Sequence, residues 1–206
     1  MKLGIVDISK VEIVKRAKEV VVREAEAVKA LADQFGDGLT EVVALLLDCQ
    51  GHVLVTGAGT SRAMAQRLAH LLSCSGTPAL FISASDGLHG GSGAVTDRDI
   101  VYIISKGGHS AEINQFAKIA RSRGAKLVAQ TENPASPLAK MCDVVFQVKA
   151  AEEVDPYGMV ATGSSLVNGA AGDALCVLLL ELRGYTKKAF GQTHPGGAVG
   201  KKLAEA

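Results

Sequence analysis

The chain has 206 residues, a net charge of +1, 48% hydrophobic side chains, 23 glycines and no tryptophan, which suits one globular α/β domain with a sizeable core. Lysine and arginine are spread along the chain without a basic stripe, which argues against a nucleic-acid partner. The charged N-terminus lacks the apolar core of a signal peptide, the apolar run at 177–180 is too short to span a membrane, and the four cysteines form no C-x-x-C motif. We therefore expect a cytoplasmic protein with reduced thiols and no membrane partner.

Helical and extended patterns alternate along the chain after two N-terminal helices. The periodicity of apolar residues predicts helices at 11–32, 40–48, 61–73, 110–122, 136–142 and 164–183. Short apolar, β-branched runs predict strands at 52–56, 79–83, 99–105, 126–130 and 144–148. Five such strands separated by helices indicate a parallel sheet covered on both faces. The predicted fold is an α/β three-layer αβα sandwich, flavodoxin-like, with a five-stranded parallel sheet. It forms a single domain over 1–206, with N-terminal helices at 9–50 packed on it.

Two segments share the order strand, Gly/Ser loop, helix: "VLVTGAGTSRAMAQRLAHLL" at 53–72 and "IVYIISKGGHSAEINQFAKIA" at 100–120. Arg62 stands where a dinucleotide motif needs its third glycine, and the P-loop motif is absent. Backbone amides and small hydroxyls at two helix starts suit a phosphate monoester. The candidate phosphate contacts are Gly59, Thr60 and Ser61 in the first loop and Ser105, Lys106, Gly107 and Ser110 in the second. The serines at the helix starts could instead be ordinary N-caps, and the loop lysine could simply be exposed.

Three of the five histidines lie in Gly-rich loops, where a side chain that titrates near neutrality can reach a ligand. They are His89 in "DGLHGGSG", His109 in the second phosphate-type loop and His194 in "GQTHPGGAVGKKL". Glu152 and Glu153 follow the fifth predicted strand, where a carboxylate is a candidate base. Plain surface histidines and a solvated acidic pair are the alternatives. The sequence contains no H-x-H, H-E-x-x-H or cysteine pair, so we expect no metal site.

The motifs "GAGTSR", "SKGGHSAE", "EEVDPYG" and "THPGGAVGKKL" resemble the sugar isomerase (SIS) domain family and, within it, the arabinose-5-phosphate isomerases. The likeness covers almost the whole chain, from Val11 to Leu203, and includes "SGTPALFISASDGLHGGSG" at 75–93. It implies an SIS-type fold and a homo-oligomer, dimer or tetramer, with active sites shared between subunits. The resemblance implies substrate or phosphate contacts at Ser61, Thr77, Ser105 and Ser110 and catalytic roles for His89, Glu153 and His194.

The sequence departs from that family at four positions. Thr60 replaces the lysine of G-x-G-K-S, His109 replaces a glutamate, Gly107 a serine and Ser83 a histidine. The CBS pair that follows many arabinose-5-phosphate isomerases is not in this sequence, so the expected relative is an isomerase that lacks it. These departures leave the phosphosugar interpretation intact and the identity of the sugar open.

The resemblance implies aldose–ketose isomerisation of a sugar phosphate through an enediol, of the arabinose-5-phosphate/ribulose-5-phosphate type, with no metal or organic cofactor. Glu153 is the expected base, with a pKa raised by apolar walls. We expect His194 to open the sugar ring or shuttle a proton, His89 to hold a hydroxyl, and His109 to take over the missing glutamate's polar contact. Two alternatives stay open: a non-catalytic sugar-phosphate-binding regulatory module, and an isomerase of a hexulose or heptose phosphate.

Overall fold

The computed structural model describes residues 9–150, 153–198 and 200 and contains a five-stranded sheet. The strands are β1 (Val53–Gly57), β2 (Ala79–Phe81), β3 (Ile100–Ile104), β4 (Lys126–Thr131) and β5 (Val144–Gln147). All are parallel and lie in the order β2-β1-β3-β4-β5. This is the flavodoxin-like order, in which the connections leave β1 toward one edge of the sheet and β3 toward the other. The five predicted strands and their parallel arrangement are confirmed.

Helices cover both faces of the sheet. They are α1 (Lys10–Ala30), α2 (Asp37–Leu47), α3 (Thr60–Cys74), α4 (Ala84–Leu88), α5 (Ala111–Ser122), α6 (Gly163–Leu182) and α7 (Lys187–Thr193). Successive strand residues point to opposite faces. Val55 and Tyr102 therefore pack in a core cluster with α1, α2, α3 and α6, whereas Leu54 and Val101 pack with α4 and α5. The three-layer αβα sandwich is confirmed.

The two central strands that carry the candidate loops are buried along their whole length. Every residue of β1, with the sequence VLVTG, and of β3, with the sequence IVYII, is buried. Strands covered on both faces need such continuous apolar runs, because neither face of the sheet is exposed to solvent. The loops that leave β1 and β3 therefore start from strands that are buried along their whole length.

The helix predicted at 136–142 is wrong. Only a short 3-10 segment, Ala139–Met141, forms there. The Leu138 amide donates to the Gly108 carbonyl of the second loop at 3.3 Å instead of to a carbonyl of a preceding helical turn, and β5 starts at Val144. Leu138 is fully buried, and this burial accounts for the apolar spacing that suggested a helix.

Two short helices were not predicted, although each begins at a conventional cap. The Ser83 hydroxyl accepts the Asp86 amide hydrogen at 3.2 Å and starts α4. The Thr186 hydroxyl accepts the Ala189 amide hydrogen at 3.2 Å and starts α7. Hydroxyl caps of this kind are local sequence signals, but helices of five and seven residues are too short to show an apolar period.

Helix α6 is the one described helix that is long and apolar enough to cross a membrane, judged by length and composition alone. It packs against α1, α2 and α3 on one face of the sheet, and nine of its residues are buried. Core helices of globular domains meet the same criteria, and this packing identifies α6 as a core helix of the sandwich.

Candidate functional site

The first candidate loop joins β1 to α3 and brings the start of that helix against β3. A Cβ added to Gly57 would lie 2.8 Å from the Ser61 backbone and 3.0 Å from the Ile104 carbonyl oxygen, so the close approach requires glycine. Gly59 has a φ of +56°, which glycine adopts without the strain of a side chain. It occupies the N-cap position of α3, where no side chain caps the helix. The first amide groups of α3 are therefore available to an anion.

The second candidate loop joins β3 to α5 and is tied to β4. The Ser105 amide donates to the Gln130 carbonyl at 3.0 Å, and the Thr131 hydroxyl donates to the Lys106 carbonyl at 2.9 Å. Gly108 has a φ of +67°, and an added Cβ would collide with a neighbouring side chain. These contacts give the loop a defined shape before any ligand binds.

The two serines at the helix starts do not act as ordinary N-caps. Ser110 occupies the N-cap position of α5, but its hydroxyl makes no capping hydrogen bond. Ser61 lies in the first turn of α3, beyond the N-cap. Both line a cavity of about 230 Å³, here called the phosphate cradle. The cradle is lined by Ala58, Ser61, Ile104, Ser105, Lys106, Gly107, Gly108, His109 and Ser110. It lies at the switch point between β1 and β3, where sheets of this order bind ligands.

Glu153 lies beside the cradle, and both of its carboxylate oxygens are bound. Only 6% of the residue is exposed. Lys106 Nζ lies 2.9 Å from Oε1, and the Ser164 amide donates to Oε2 at 3.2 Å. Ser164 is in the first turn of α6, whose N-cap residue Thr162 makes no capping hydrogen bond. The Glu153 carboxylate therefore caps α6, where the helix dipole favours a negative charge.

The pKa of Glu153 lies below its ordinary value. Burial alone would raise this pKa, but hydrogen bonds from Ser164 and Lys106 and the positive charge of Lys106 outweigh the effect of burial. The raised pKa expected from the sequence is therefore wrong, because the carboxylate meets a helix amide and an ammonium group rather than apolar walls. Glu153 is ionised at neutral pH.

Lys106 stands between the phosphate cradle and two further cavities. The carboxylate cavity, of about 510 Å³, is lined by Arg23, Lys106, Glu153, Asp155, Pro156, Tyr157 and Gly158. The narrow cavity, of about 40 Å³, is lined by Thr60, Ser61, Met64, Lys106, Ala161, Ser164, Ser165 and Asn168. The place for an anion and the ionised carboxylate are thus neighbours, with the Lys106 side chain shared between them.

A chain of buried hydrogen bonds, here called the core chain, runs from Glu153 into the sheet. Beyond the Ser164 amide, Asn168 Nδ2 donates to the Ser164 carbonyl at 2.7 Å. Gln130 Nε2 donates to Asn168 Oδ1 at 2.6 Å, and the Tyr102 hydroxyl donates to Gln130 Oε1 at 2.6 Å. The core chain links β3 and β4 to the first turn of α6, and hence to the residue that holds Glu153.

Of the three predicted histidines, His109 is the one that lines the cradle. His89 is exposed at the end of α4. His194 follows α7, where its ring stacks on Phe190 with centroids 3.8 Å apart and its Nδ1 lies 3.0 Å from the Phe190 carbonyl oxygen. Neither His89 nor His194 is among the described residues that line the three cavities, so their roles stay predictions.

Thr77 lies away from the other predicted phosphate contacts. It precedes β2 and so stands at the amino edge of the sheet, opposite the cradle. Its side chain is buried and accepts a hydrogen bond from Arg183 Nε at 3.0 Å. The structure gives Thr77 a packing role and does not bring it to the site.

Several parts of the site were not indicated by the sequence. Arg23, on the distant α1, donates to the Glu153 backbone carbonyl at 3.4 Å. Glu132 Oε1 lies 3.9 Å from Lys106 Nζ. Asn168 was hidden in an apolar helix, and no local motif marks any of these three residues. Among residues 9–150, 153–198 and 200, no group of three or more His, Cys, Asp or Glu side chains could hold a metal ion. Glu152 lies outside the described residues.

The fold and site together define a doubly wound α/β domain with a cavity between two helix N-termini and an ionised carboxylate beside it at the switch point. The SIS domain model matches residues 46–188. The chain therefore belongs to the SIS domain family, which confirms the resemblance seen in its motifs.

Similar proteins include two with curated names. The chain is 35% identical over 192 residues to the arabinose 5-phosphate isomerase KdsD of Pseudomonas aeruginosa, covering 93% of this chain and 59% of that protein. It is 36% identical over 186 residues to KdsD of Escherichia coli K12, covering 90% of this chain and 57% of that protein. The chain thus spans less than three-fifths of the length of these relatives.

Two solved structures match the chain over most of its length. A Listeria monocytogenes protein superposes with a TM-score of 0.90 at 34% identity, covering 92% of this chain and 100% of that one. The protein c3406 of Escherichia coli CFT073, solved in complex with arabinose 5-phosphate, superposes with a TM-score of 0.88 at 30% identity, covering 91% and 100%. Both have the length of a single domain of this kind.

Proposed function

We propose that this protein is an aldose–ketose isomerase that interconverts arabinose 5-phosphate and ribulose 5-phosphate. One observation carries the proposal: two helix N-termini without side-chain caps form a phosphate cradle, and an ionised, nearly buried Glu153 lies beside it, joined to it by Lys106. The relatives named arabinose 5-phosphate isomerase and the similar structure solved with arabinose 5-phosphate support this substrate.

In this proposal the phosphate of the sugar occupies the cradle. Amides at the starts of α3 and α5 donate to its oxygens, and both helix dipoles favour its negative charge. Hydroxyl groups around the cradle add further donors; they belong to Thr60, Ser61, Ser105 and Ser110, while Gly59 and Gly107 keep the backbone accessible. Because the phosphate does not react, its binding energy serves to position the reacting end of the sugar near Glu153.

Glu153 acts as the general base. It removes the proton from C2 of the aldose, an enediol forms, and the proton returns to C1. The lowered pKa of Glu153 keeps the carboxylate ionised and ready to accept that proton at neutral pH. The carbonyl group of the sugar itself acidifies the neighbouring C–H bond, so this step uses no metal or organic cofactor.

The histidines complete the proposal. His109 contacts the substrate from the cradle wall, in place of the glutamate usual in the resembling family. His89 and His194 serve a site completed by a second copy, in a dimer or tetramer that works in the cytoplasm. Helix α1 supports such an assembly because it exposes Val11, Val14 and Val21, an apolar surface suited to an interface between subunits.

A second candidate function differs only in the sugar. The carboxylate cavity has a volume of about 510 Å³, which does not restrict the substrate to five carbons, so a hexulose or heptose phosphate is the alternative substrate. The binding-only alternative, a sugar-phosphate-responsive regulatory module, keeps the cradle and differs by the absence of turnover.

The test is proton NMR of the full chain in heavy water with five-, six- and seven-carbon sugar phosphates. We expect arabinose 5-phosphate to lose its C2 proton signal while ribulose 5-phosphate appears. Glu153→Gln should slow this exchange by about 10²- to 10⁴-fold, the usual contribution of a general base. Glu181→Gln is the matched control, because Glu181 is exposed at the far end of α6 and should leave the rate unchanged.

Each outcome separates the candidates. Exchange with a longer sugar alone would assign that sugar as the substrate. Binding of sugar phosphates without exchange would replace the isomerase with the regulatory module. Full exchange in Glu153→Gln would remove Glu153 as the base.

A further inference from the structure

Removal of a proton beside a carbonyl group places negative charge on the carbonyl oxygen, and a preorganised cation there is a large source of rate. Among the described residues that line the cradle and its two neighbouring cavities, the cationic side chains are Arg23 and Lys106. The Arg23 guanidinium donates to the backbone carbonyls of Glu153 and Val154, both at 3.4 Å. Lys106 Nζ instead lies 2.9 Å from the Glu153 carboxylate, next to the atom that would take the proton.

Lys106 is held where it can serve a ligand. Its backbone carbonyl accepts hydrogen bonds from the Thr131 hydroxyl at 2.9 Å and the Glu132 amide at 3.0 Å. The Glu132 carboxylate lies 3.9 Å from Nζ and is itself fixed by the Ala150 amide at 3.1 Å. The Lys106 side chain is nevertheless 45% exposed, against 4% for Glu153, so the ammonium group is the accessible half of the ion pair.

We propose that Lys106 is a catalytic residue that contacts the carbonyl oxygen of the bound sugar and stabilises the enediolate. The proposal rests on the isomerase function proposed above and adds the electrophile to the base. As Glu153 takes the C2 proton, the C2–H electron pair forms the C1=C2 double bond, and the carbonyl π electrons move to O1 beside the Lys106 ammonium. The O2 proton then passes to O1, Glu153 returns its proton to C1, and the ketone forms at C2 with all atoms and charges balanced.

This role differs from the phosphate contact that the sequence suggested for Lys106. Nζ lies against Glu153, at the reacting end of the site, and the sugar carbons separate that end from the phosphate. The cradle has two helix N-termini for the phosphate. Arg23, the other described cation near the base, donates to backbone carbonyls, which leaves Lys106 as the cation that contacts the Glu153 carboxylate. Thr60, which stands where the resembling family has a lysine, brings no charge to the narrow cavity.

The experiment compares Lys106→Met, Lys106→Arg and the control Lys118→Met in the full chain. Lys118 is exposed on α5, outside the three cavities. We expect Lys106→Met to lower kcat by about 10²- to 10³-fold, as removal of an oxyanion-stabilising donor does. Its affinity for inorganic phosphate, measured by calorimetry, should stay within about twofold of wild type. The reason is that the substitution removes an interaction made with the enediolate and not one made with the phosphate group. Lys106→Arg should recover part of kcat, and Lys118→Met should match wild type.

Other results overturn the inference in different ways. A weakened phosphate affinity and raised KM with unchanged kcat would make Lys106 a phosphate contact. Unchanged kcat and phosphate affinity in both Lys106 variants would make its ion pair merely structural. If Lys106→Met fails to fold, the kcat of Lys106→Arg tests the proposal instead. Full activity of Lys106→Arg would contradict it, because a guanidinium group cannot keep the position of the ammonium against the carbonyl oxygen. A wild-type protein without turnover would instead reject the isomerase function and this inference with it.

Discussion

Substitution Tyr102→Phe tests whether the core chain that reaches Glu153 is as closely bonded as its distances indicate. Tyr102 is fully buried, and its hydroxyl donates to Gln130 Oε1 at 2.6 Å. Burial raises the pKa of Tyr102 well above its ordinary value, so the hydroxyl stays protonated and remains a donor at the pH values used for denaturation. Phenylalanine keeps the ring in place and removes only the donor.

The expected magnitude follows from the partner left behind. Gln130 Oε1 is buried, and loss of its donor costs about 1–3 kcal/mol, the penalty for an unsatisfied buried acceptor. For a domain of this size, a loss of about 2 kcal/mol lowers Tm by roughly 4–8 °C. Gln130 Nε2 still donates to Asn168, so the remainder of the core chain keeps its bonds.

Urea denaturation measures the effect as a lower midpoint with an unchanged m value. Tyr185→Phe is the matched control, because the half-buried Tyr185 hydroxyl makes a longer bond of 3.3 Å to the Ala189 carbonyl, and we expect it to cost under about 1 kcal/mol. The double variant Tyr102→Phe/Gln130→Met should lose less than the sum of its single variants, since it removes the donor and its acceptor together. Equal stability of Tyr102→Phe and wild type would refute the reasoning.

Three further predictions concern stability. Asp99→Asn should cost about 1–3 kcal/mol in urea denaturation at pH 7, because the buried carboxylate accepts hydrogen bonds of 2.7, 2.7 and 2.8 Å. Gly108→Ala should destabilise the protein more than Gly59→Ala, since both have positive φ but only Gly108 also lacks space for a Cβ. Glu153→Gln should make the unfolding free energy less sensitive to acid than in wild type.

The sign of the acid effect is the same for Asp99 and Glu153. Burial would raise the pKa of Asp99, but hydrogen bonds from His52 and Thr96 lower it overall. A carboxylate whose pKa is lower in the folded than in the unfolded state stabilises the fold at pH values above its unfolded-state pKa, which is about 3.9 for aspartate and 4.3 for glutamate. This stabilisation is lost as the pH falls through the folded-state pKa. The difference in unfolding free energy between wild type and Asp99→Asn should therefore shrink in acid, and a difference that grows below pH 4 would contradict this argument. Equal stability of Gly108→Ala and Gly59→Ala would contradict the argument about space for a Cβ.

The fold could be predicted because its signals are local. The continuous apolar runs of β1 and β3 identify strands buried on both faces, and the alternation with helices implies parallel pairing. The helix prediction at 136–142 was wrong because the apolar Leu138 is buried in a turn, and its position in the sequence resembled the apolar spacing of a helix. Local signals thus locate the strands and the long helices, but they do not separate a short helix from a buried turn.

The site could be predicted only in part for a related reason. The cradle arises from two loops that each carry their own glycines and serines, so the sequence displays it. The bond between Lys106 and Glu153 joins residues 47 positions apart, and the bond from Gln130 to Asn168 joins residues 38 apart. No spacing rule connects them. The error in the Glu153 pKa has the same origin, because the Ser164 amide that lowers it belongs to a helix whose start only the tertiary structure brings to the carboxylate.

The two bonds to Glu153 have different consequences once a sugar binds. The Ser164 amide is fixed by α6 and the core chain, whereas the Lys106 ammonium sits on an exposed side chain that a ligand can reach. In the proposed mechanism, the carbonyl oxygen draws Lys106 away from Oε1 and so removes one of the interactions that lower the pKa of Glu153, and we expect this pKa to rise while the Ser164 amide keeps the carboxylate oriented. A base with a higher pKa takes a proton more readily. In the proposed mechanism, the same movement that places a cation on the carbonyl oxygen therefore strengthens the base beside it.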